Sequence, residues 1–501
     1  MKFNILLIAL LLMKFVYSQP TFFTQIQGTN TFNFPSDFVV KPDNNILFMV
    51  ISMDYNSRIF DNNLYEVSPE GEMLNIYTFL DTTSVYVHFT HIINVDDTLY
   101  LFGWGQKNQH DQEYPYLLMK KMDMQLNELS NYEINVESLN YKNDISHGEV
   151  KFSNETFFYL ASTGDGGGVV TCFIAEISKN GELLALDYDD ETSGVQIPYD
   201  FIKKPGRNGF YVFTFTNNIP GFSDWSGLMY DYDNRLNINS YSLLANNFSS
   251  YFTVIPVDDS VFYLSGTWIN ANSYDILFRT GIMKMKTDCT LLDQNLFIPQ
   301  QGIDTANNTA YRNSLDILSD GNLVLCSNHN IIIQQIPQLE PTYIRLIKLT
   351  PELDIVWERF IGDGEGKFDA FVMKTTSYDE IIILGAWSPA PPTNWHYTEP
   401  MFIKTNGEGL FTSIPEGKAW IKSSDAILYP NPANDQVTVE FSMAYRSAEF
   451  QLTDISGKTI FTTHLSANRQ TVDISALQAG TYFYRISNPK GLEETGKLVV
   501  K

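Results

Sequence analysis

The chain has 501 residues and a formal net charge of −25, from 33 basic against 58 acidic residues. This excess of acidic side chains repels phosphate backbones, so the composition excludes a general nucleic-acid binder and we predict no nucleic-acid partner. Aromatic residues make up 14% of the sequence, and asparagine, aspartate and glycine are abundant, as is typical of an all-β protein with many turns.

The first residues have the pattern of a secretory signal. Lys2 precedes an apolar run from Ile5 to Met13, and small residues follow up to Ser18. This pattern predicts a signal peptide at residues 1–18 and a mature chain that starts at Gln19. No stretch reaches the roughly 20 apolar residues that a membrane-spanning helix requires, so we predict no transmembrane anchor.

The middle of the chain repeats a unit of four short strands. In each unit a strand with alternating apolar residues, such as Asn44 to Ile51 or Asp97 to Trp104, is followed by a variable loop and another strand. A polar turn, for example Lys179 to Glu182, then leads into the next strand, and a shorter apolar strand precedes each unit. Seven copies of such a unit predict an all-β fold, a seven-bladed β-propeller over residues 19–414.

Three smaller features complete this domain arrangement. The N-terminal strand from Thr21 to Gln27 resembles the outer strand of the sixth unit, so we predict that it pairs into the last blade and closes the ring. Residues 415–425 contain proline, glycine and serine, which predicts a linker. The three cysteines are far apart and odd in number, which predicts buried free thiols.

The loops between the second and third strands of the blades emerge on one rim, and here they are rich in aromatic residues. Flat aromatic faces among amide and acidic side chains suit sugar rings, whose C–H groups stack on them. The candidate ligand-binding residues are Trp104, Tyr114, Trp225, Trp268, Trp395 and Tyr397. Packing within the blades is the competing interpretation, because Trp104 directly ends a strand.

The sequence contains no Gly-x-Ser-x-Gly or His-Glu-x-x-His motif and no EF-hand loop. We therefore predict no catalytic residue, no metal ligand and no cofactor. Carboxylates at Asp165, Asp231 and Asp363 have the spacing of weak calcium ligands, but turns explain them more simply. Two alternatives stay open: a propeller hydrolase or lyase that uses acids near the central channel, such as Asp165 or Asp224, on a polysaccharide, and a structural surface protein.

Residues 426–501 have the pattern of a small Ig-like β-sandwich. Two prolines around Asn431 predict a turn, and about seven short strands with alternating apolar residues follow. Ser456 and Gly457 mark a hairpin turn between two of these strands. This segment is therefore predicted to fold as a second domain.

Nine residues of this segment form a set of short motifs: Tyr429, Pro430, Asn431, Pro432, Asp454, Gly457, Gly480, Tyr482 and Lys497. In these motifs the segment resembles the C-terminal sorting domain of type IX secretion cargo. The resemblance implies recognition by an outer-membrane translocon and a secreted or cell-surface location, which agrees with the N-terminal signal. The resulting hypothesis is an exported propeller without catalytic activity that binds a glycan or a protein ligand.

Overall fold

The computed structural model describes most of the chain after the predicted signal peptide. The described residues are 21–26, 32–53, 60–79, 86–106, 114–139, 145–164, 170–188, 195–204, 209–216, 226–233, 235, 237–244, 248–269, 278–297, 306–331, 342–362, 366–389, 398–411, 420–422, 426–429, 432–441, 448–454, 457–467, 469–487 and 493–501. The predicted signal peptide lies outside them. Within these ranges the helical content is a single 3₁₀ turn at Glu137–Leu139.

The described strands before residue 423 form seven antiparallel sheets. The chain opens with β1 (Phe22–Gln25). The first sheet contains β2 (Phe32–Val40), β3 (Ile46–Met53), β4 (Phe60–Val67) and β5 (Met73–Phe79), and the second contains β6 (Tyr86–Val95), β7 (Thr98–Gln106), β8 (Tyr116–Asp123) and β9 (Glu128–Asn135). The third contains β10 (Ser146–Ser153), β11 (Thr156–Gly164), β12 (Val170–Ser178) and β13 (Leu183–Tyr188), and the fourth contains β14 (Gln196–Lys203), β15 (Phe210–Thr216), β16 (Ser226–Tyr232) and β17 (Ile238–Leu243).

The remaining three sheets follow the same order. The fifth contains β18 (Phe248–Pro256), β19 (Val261–Ile269), β20 (Phe278–Lys286) and β21 (Leu291–Leu296). In the sixth, β22 (Ala306–Thr309) and β23 (Leu315–Ile317) both pair with β24 (Leu323–Ile331), which is followed by β25 (Tyr343–Leu349) and β26 (Ile355–Gly362). The seventh contains β27 (Gly366–Thr375), β28 (Ile381–Pro389) and β29 (Glu399–Thr405), with β1 as its outer strand.

The first strands of the sheets form the inside of a ring. β2 contacts β6, and the contacts continue through β10, β14, β18, β23 and β27 back to β2. Each sheet buries apolar residues against both neighbours, because alternate side chains of its middle strands point to opposite faces. The prediction of an all-β propeller is thus confirmed, while the number of blades stays a prediction because further residues lie outside the described ranges.

The N-terminal strand closes the ring as predicted. β1 pairs antiparallel with β29, and Phe22 lies opposite Lys404. Within the predicted linker, β30 (Trp420–Lys422) pairs with β26 on the outer edge of the sixth sheet. The predicted boundaries of the linker stay a prediction. The cysteines are free, with Cys172 and Cys326 buried and Cys289 half-buried.

The turn between the third and fourth strands of the sheets has a repeated geometry. In the turn at 178–182, the Ser178 hydroxyl accepts hydrogen bonds from the N–H groups of Asn180 and Glu182. The fourth residue has a positive φ, as at Gly181 (75°), and in the sixth sheet even a leucine, Leu353, adopts this conformation (63°). A side chain at this position meets the outer strand of the preceding sheet, so the turn also determines how neighbouring sheets pack.

We expect Gly181→Ala to destabilise the propeller by about 3 kcal/mol. The positive φ alone costs about 1 kcal/mol, and overpacking adds 1–3 kcal/mol as an approximate range, because a Cβ would lie 2.3 Å from Cγ of Tyr132. Gly321→Ala is the matched control, since Gly321 has a φ of 82° but no heavy atom within 4 Å of a Cβ there. Urea unfolding of the two variants measures the difference, and equal losses would contradict the steric argument.

The C-terminal segment is a β-sandwich of two sheets. One sheet contains β31 (Ala426–Tyr429), β32 (Gln436–Phe441) and β35 (Arg469–Asp473), and the other contains β33 (Ala448–Thr453), β34 (Thr459–Leu465), β36 (Gly480–Ser487) and β37 (Glu493–Val500). Alternate residues such as Val437, Phe450 and Leu498 are fully buried between the sheets. The predicted Ig-like sandwich is therefore confirmed.

Candidate functional site

Two of the predicted ligand-binding aromatic residues lie inside the blades. Trp104 is 7% exposed and stacks on His88, with 4.7 Å between ring centres and an interplanar angle of 10°. Burial lowers the pKa of His88 to about 4, so its ring is neutral at pH 7. Trp268 is also buried, and the guanidinium of Arg279 lies 5.3 Å from its ring centre. The positions of both tryptophans fit the packing interpretation.

The other predicted aromatic residues lie at or beyond the ends of described strands. Tyr114 is half-buried just before β8. Outside the described residues are Trp225, Trp395 and Tyr397, as well as Asp165 and Asp224 of the catalytic alternative. The aromatic rim as a ligand-binding surface therefore stays a prediction.

A ring of buried residues, mostly polar, surrounds the inside of the propeller. The innermost strands contain β-bulges, where an extra residue interrupts the register with the second strand. The side chain after the bulge, or at the equivalent position of the sixth sheet, is buried between neighbouring sheets. In sheet order these seven residues, which we call the inner ring, are Asp37, His91, Glu149, Asp200, Thr253, Ser314 and Val372.

The two aspartates of the inner ring connect neighbouring sheets. Oδ1 of Asp200 accepts the N–H of Phe201 at 2.7 Å and pairs with Lys151 of the preceding sheet. Its Oδ2 accepts the N–H of Val254, in the following sheet, at 2.7 Å. The same three bonds are repeated by Asp37 with Phe38, Lys374 and Ile92. Each carboxylate thus joins three consecutive sheets.

His91 and Thr253 of the inner ring also bond across the sheets. Nε2 of His91 lies 3.2 Å from the carbonyl oxygen of Gly148 in the next sheet. The hydroxyl oxygen of Thr253 accepts the N–H of Ser314, again in the next sheet, at 2.8 Å. Because buried polar groups cost free energy unless they are paired, these bonds favour one relative position of the sheets.

Glu149 differs from the two aspartates. It is 8% exposed, and none of the described residues donates a hydrogen bond to its carboxyl group. Burial raises its pKa to about 7, helped by the charge of Asp200 and opposed by Lys151 and Arg312. Around neutral pH its carboxyl therefore keeps its proton in a large fraction of molecules.

Four aromatic residues line the axis on the side of the last four sheets. Tyr199, Tyr251, Tyr311 and Phe371, which we call the aromatic arc, are half-buried. The ring centres of consecutive members are 5.4, 5.0 and 4.7 Å apart. Burial raises the pKa of the Tyr199 and Tyr311 hydroxyls, so both stay protonated and can donate hydrogen bonds. Tyr251 has a φ of 55°, a strained conformation for an aromatic residue.

The side chain of Arg312 extends across the inside of the ring. Its Nη1 donates to the carbonyl oxygen of Thr90 at 2.7 Å and approaches that of Ser36 at 3.5 Å. Arg312 lies between β22 and β23 of the sixth sheet, whereas Ser36 is in the first sheet and Thr90 is in the second. The side chain of Arg312 therefore crosses the inside of the ring. The aromatic arc faces these smaller residues across the axis.

A sequence signal for the inner ring exists. Asp37 to Pro42 and Asp200 to Pro205 share the pattern Asp-Phe-x-x-Lys-Pro. In both copies the aspartate connects neighbouring sheets. The lysine of the pattern forms an ion pair with an acidic residue on the third strand of its own sheet, Lys41 with Glu66 and Lys204 with Asp231. Comparing the short first strands of the repeats, rather than their loops, would have identified Asp37 and Asp200.

The candidate calcium ligands act in other ways where they are described. Asp233 accepts the N–H groups of Arg235 and Asn237 at 2.8 Å and so shapes a turn, while Asp231 pairs with Lys204. Among the described residues, no group of three or more histidine, cysteine, aspartate or glutamate side chains has the arrangement of a metal site.

The motif residues of the sandwich stabilise its turns and its last strand. Next to Pro432, the N–H of Ala433 donates to the carbonyl of Val499, and the N–H of Lys501 donates to the carbonyl of Ala433, both at 2.8 Å. Tyr429 ends β31, whereas Pro430 and Asn431 lie outside the described residues. Ala433, the residue directly after the opening motif, therefore pairs with the end of β37.

The remaining motif residues lie around the opposite sheet. Oδ1 of Asp454 accepts the N–H of Lys458 at 3.1 Å, and Gly457 supplies the positive φ of 83° in this turn. Gly480 begins β36, and the hydroxyl of Tyr482 donates to the carbonyl of Gln478 at 2.7 Å. These motif residues thus lie in turns or at strand ends of the sandwich. Lys497 is exposed on β37.

The fold is a β-propeller followed by a small Ig-like terminal domain. Residues 427–501 match the family of secretion system C-terminal sorting domains. This segment is a type IX secretion sorting domain, and it indicates export to the cell surface or the extracellular space. The domain implies interaction with the secretion machinery. Within the described residues, no helix has the length and apolar character needed to cross a membrane.

Comparison with solved structures finds propeller-like chains of low similarity. An alpha-L-arabinanase from Penicillium chrysogenum, complexed with arabinobiose, is 11% identical with a TM-score of 0.39, covering 62% of this chain and 92% of its own. A subtype N11 neuraminidase-like protein from a flat-faced bat isolate from Peru is 13% identical with a TM-score of 0.36, covering 66% and 89%. One from a bat isolate from Guatemala is 9% identical with a TM-score of 0.32, covering 63% and 86%. Comparison with curated protein sequences finds no match.

Proposed function

We propose that the protein is a non-catalytic carbohydrate-binding propeller that acts outside the cell. The aromatic arc is the observation that supports this function most. Three phenol rings and one phenyl ring form a continuous series of contacts along the axis and are half-buried, so part of each side chain stays exposed. Core packing alone would favour full burial of such large apolar side chains.

The chemistry of the arc suits a sugar. Aromatic faces stack on the C–H groups of a pyranose ring, and the protonated hydroxyls of Tyr199 and Tyr311 donate hydrogen bonds to its oxygens. The predicted rim residues Trp225, Trp395 and Tyr397 would extend this surface toward the loops. In this proposal one end of a glycan enters the axial opening and its continuation contacts the rim.

Binding of the mature full-length chain to a glycan array tests the proposal. We expect Tyr311→Leu to weaken retention of the bound glycan about tenfold, because stacking and one hydrogen bond are lost. Tyr378→Ala is the control, since Tyr378 is 66% exposed on a turn away from the arc. Unchanged thermal unfolding shows that the Tyr311 variant is folded, and Tyr251→Leu provides a second variant. Equal binding by wild type and both arc variants would overturn the proposal.

A polysaccharide hydrolase is the second candidate, and Glu149 is the observation that favours it. A carboxyl group with a pKa of about 7 can donate a proton to a leaving sugar oxygen at neutral pH. Release of new reducing ends by the wild type, and its loss in Glu149→Gln, would establish this alternative. Retention of glycans without such release supports the binding protein.

A further inference from the structure

We propose that Arg312 makes the axial site selective for a sugar that has a carboxylate group, such as a uronic acid residue. This inference rests on the proposed carbohydrate binding and adds the chemical class of the ligand. It follows from the free hydrogen-bond donors of Arg312, from the charges around it, and from its position beside the aromatic arc.

Backbone contacts hold Arg312 across the axis. Its own N–H donates to the carbonyl of Phe371 at 2.8 Å, and its Nη1 contacts the carbonyls of Thr90 and Ser36 on the far side. These three contacts come from three different sheets. The guanidinium is therefore positioned before any ligand arrives, which lowers the entropy cost of binding.

The opposite edge of the guanidinium is available. None of the described residues accepts a hydrogen bond from Nε or Nη2 of Arg312, and the side chain is half-buried rather than enclosed. Nε and Nη2 together present two parallel N–H groups, the geometry that binds both oxygens of a carboxylate. A neutral hydroxyl can use only one of these donors at a time.

The charge of Arg312 lacks an acidic partner among the described residues. The two aspartates of the inner ring are already paired with lysines, Asp37 with Lys374 and Asp200 with Lys151. Arg312 acts on the charge of Glu149, but no ion pair joins the two. Asp369, which acts on the neighbouring Tyr311, is paired with Lys367. Because burial keeps Glu149 partly protonated at neutral pH, an anionic ligand is the natural partner for this guanidinium.

Arg312 and the aromatic arc can contact the same sugar residue. Tyr311 directly precedes Arg312, and its ring lies between those of Tyr251 and Phe371. A pyranose ring stacked on this part of the arc would place a carboxylate at its ring carbon close to the guanidinium. A sugar fits both features at once, which favours it over a peptide carboxylate.

The experiment compares acidic oligosaccharides with matched neutral ones. The probes are trisaccharides of galacturonate, glucuronate, mannuronate and guluronate, each with its carboxyl-reduced counterpart, titrated calorimetrically into the mature full-length protein. We expect at least one acidic member to bind about 10- to 100-fold more tightly than its reduced form. Arg312→Gln should remove this preference, and Arg312→Lys should restore part of it.

Controls separate the possible failures. Arg235→Gln removes an exposed arginine from a turn and should leave the preference unchanged, and unfolding curves show that the Arg312 variants are folded. Binding of reduced but not acidic sugars, equal binding of both forms, or a preference that persists in Arg312→Gln would overturn the inference while the carbohydrate-binding function stands. Absence of binding to every acidic and neutral glycan would overturn both.

Discussion

Asp200→Ala is expected to lower the free energy of unfolding of the propeller by about 4 kcal/mol. The substitution leaves Lys151 without its carboxylate partner and leaves the N–H groups of Phe201 and Val254 without an acceptor. Since Asp200 is 3% exposed, water cannot replace these bonds without opening the ring. Urea or thermal unfolding at pH 7 measures the loss.

A double-mutant cycle identifies the source of this effect. Lys151→Ala and the double variant Asp200→Ala/Lys151→Ala measure how much of the loss comes from the ion pair and how much from the two backbone donors. Asp43→Ala is the surface control, because its carboxylate is 55% exposed, and we expect a change within about 0.5 kcal/mol. A similarly small change in Asp200→Ala would mean that the inner ring does not hold the sheets together.

The repeated architecture could be predicted because its signals are local. Alternating strands and polar turns recur along the chain, and the turn at 178–182 has both its hydroxyl acceptor and its glycine within five residues. The resemblance between the N-terminal strand and an outer strand was enough to predict the pairing of β1 with β29. The sorting domain was recognised from short motifs whose residues determine turns and strand ends in the same way.

The axial site could not be predicted, for two physical reasons. The bulges at Thr90 and Tyr199 interrupt the two-residue alternation, so the strand pattern assigns the following residue to the wrong face. The bond between Arg312 and Thr90 also joins residues that are 222 positions apart, and only the closed ring brings them together. The tryptophans in and beside the loops instead predict a binding surface on the rim, whereas Trp104 contacts His88 within its own blade.

Glu149→Gln is expected to stabilise the propeller at pH 8 by about 3 kcal/mol and to have little effect at pH 4. The usual pKa of a glutamate is 4.5, and burial in the folded protein raises that of Glu149 to about 7. Below pH 4.5 the carboxyl is protonated in both the folded and the unfolded chain, so burying it does not lower the free energy of unfolding. Unfolding midpoints of wild type and variant across this pH range measure the change.

Glu149 begins to destabilise the folded protein between its pKa in the unfolded chain, 4.5, and its pKa in the folded chain, about 7. As the pH rises from 4.5 to 7, the unfolded chain releases the proton while the folded chain retains it, so the wild type loses stability relative to the variant. Above pH 7 the difference is constant, because both states are ionised. Glu70→Gln is the control, since Glu70 is exposed in a turn.

The difference in stability between wild type and Glu149→Gln, plotted against pH, also tests the role of the neighbouring charges. We call this plot the difference curve. After burial, the charge of Asp200 contributes most to the raised pKa of Glu149, while Lys151 and Arg312 oppose it. The step in the difference curve should therefore move to lower pH in Asp200→Asn and to higher pH in Arg312→Gln. If the step stays at the same pH in both variants, burial alone sets the protonation of Glu149. If the stabilities of wild type and Glu149→Gln change in parallel with pH, the carboxyl of Glu149 is hydrated.

An acidic sugar should also move this step. A carboxylate bound to Arg312 would repel ionised Glu149, so the step should move to higher pH when an acidic sugar is present.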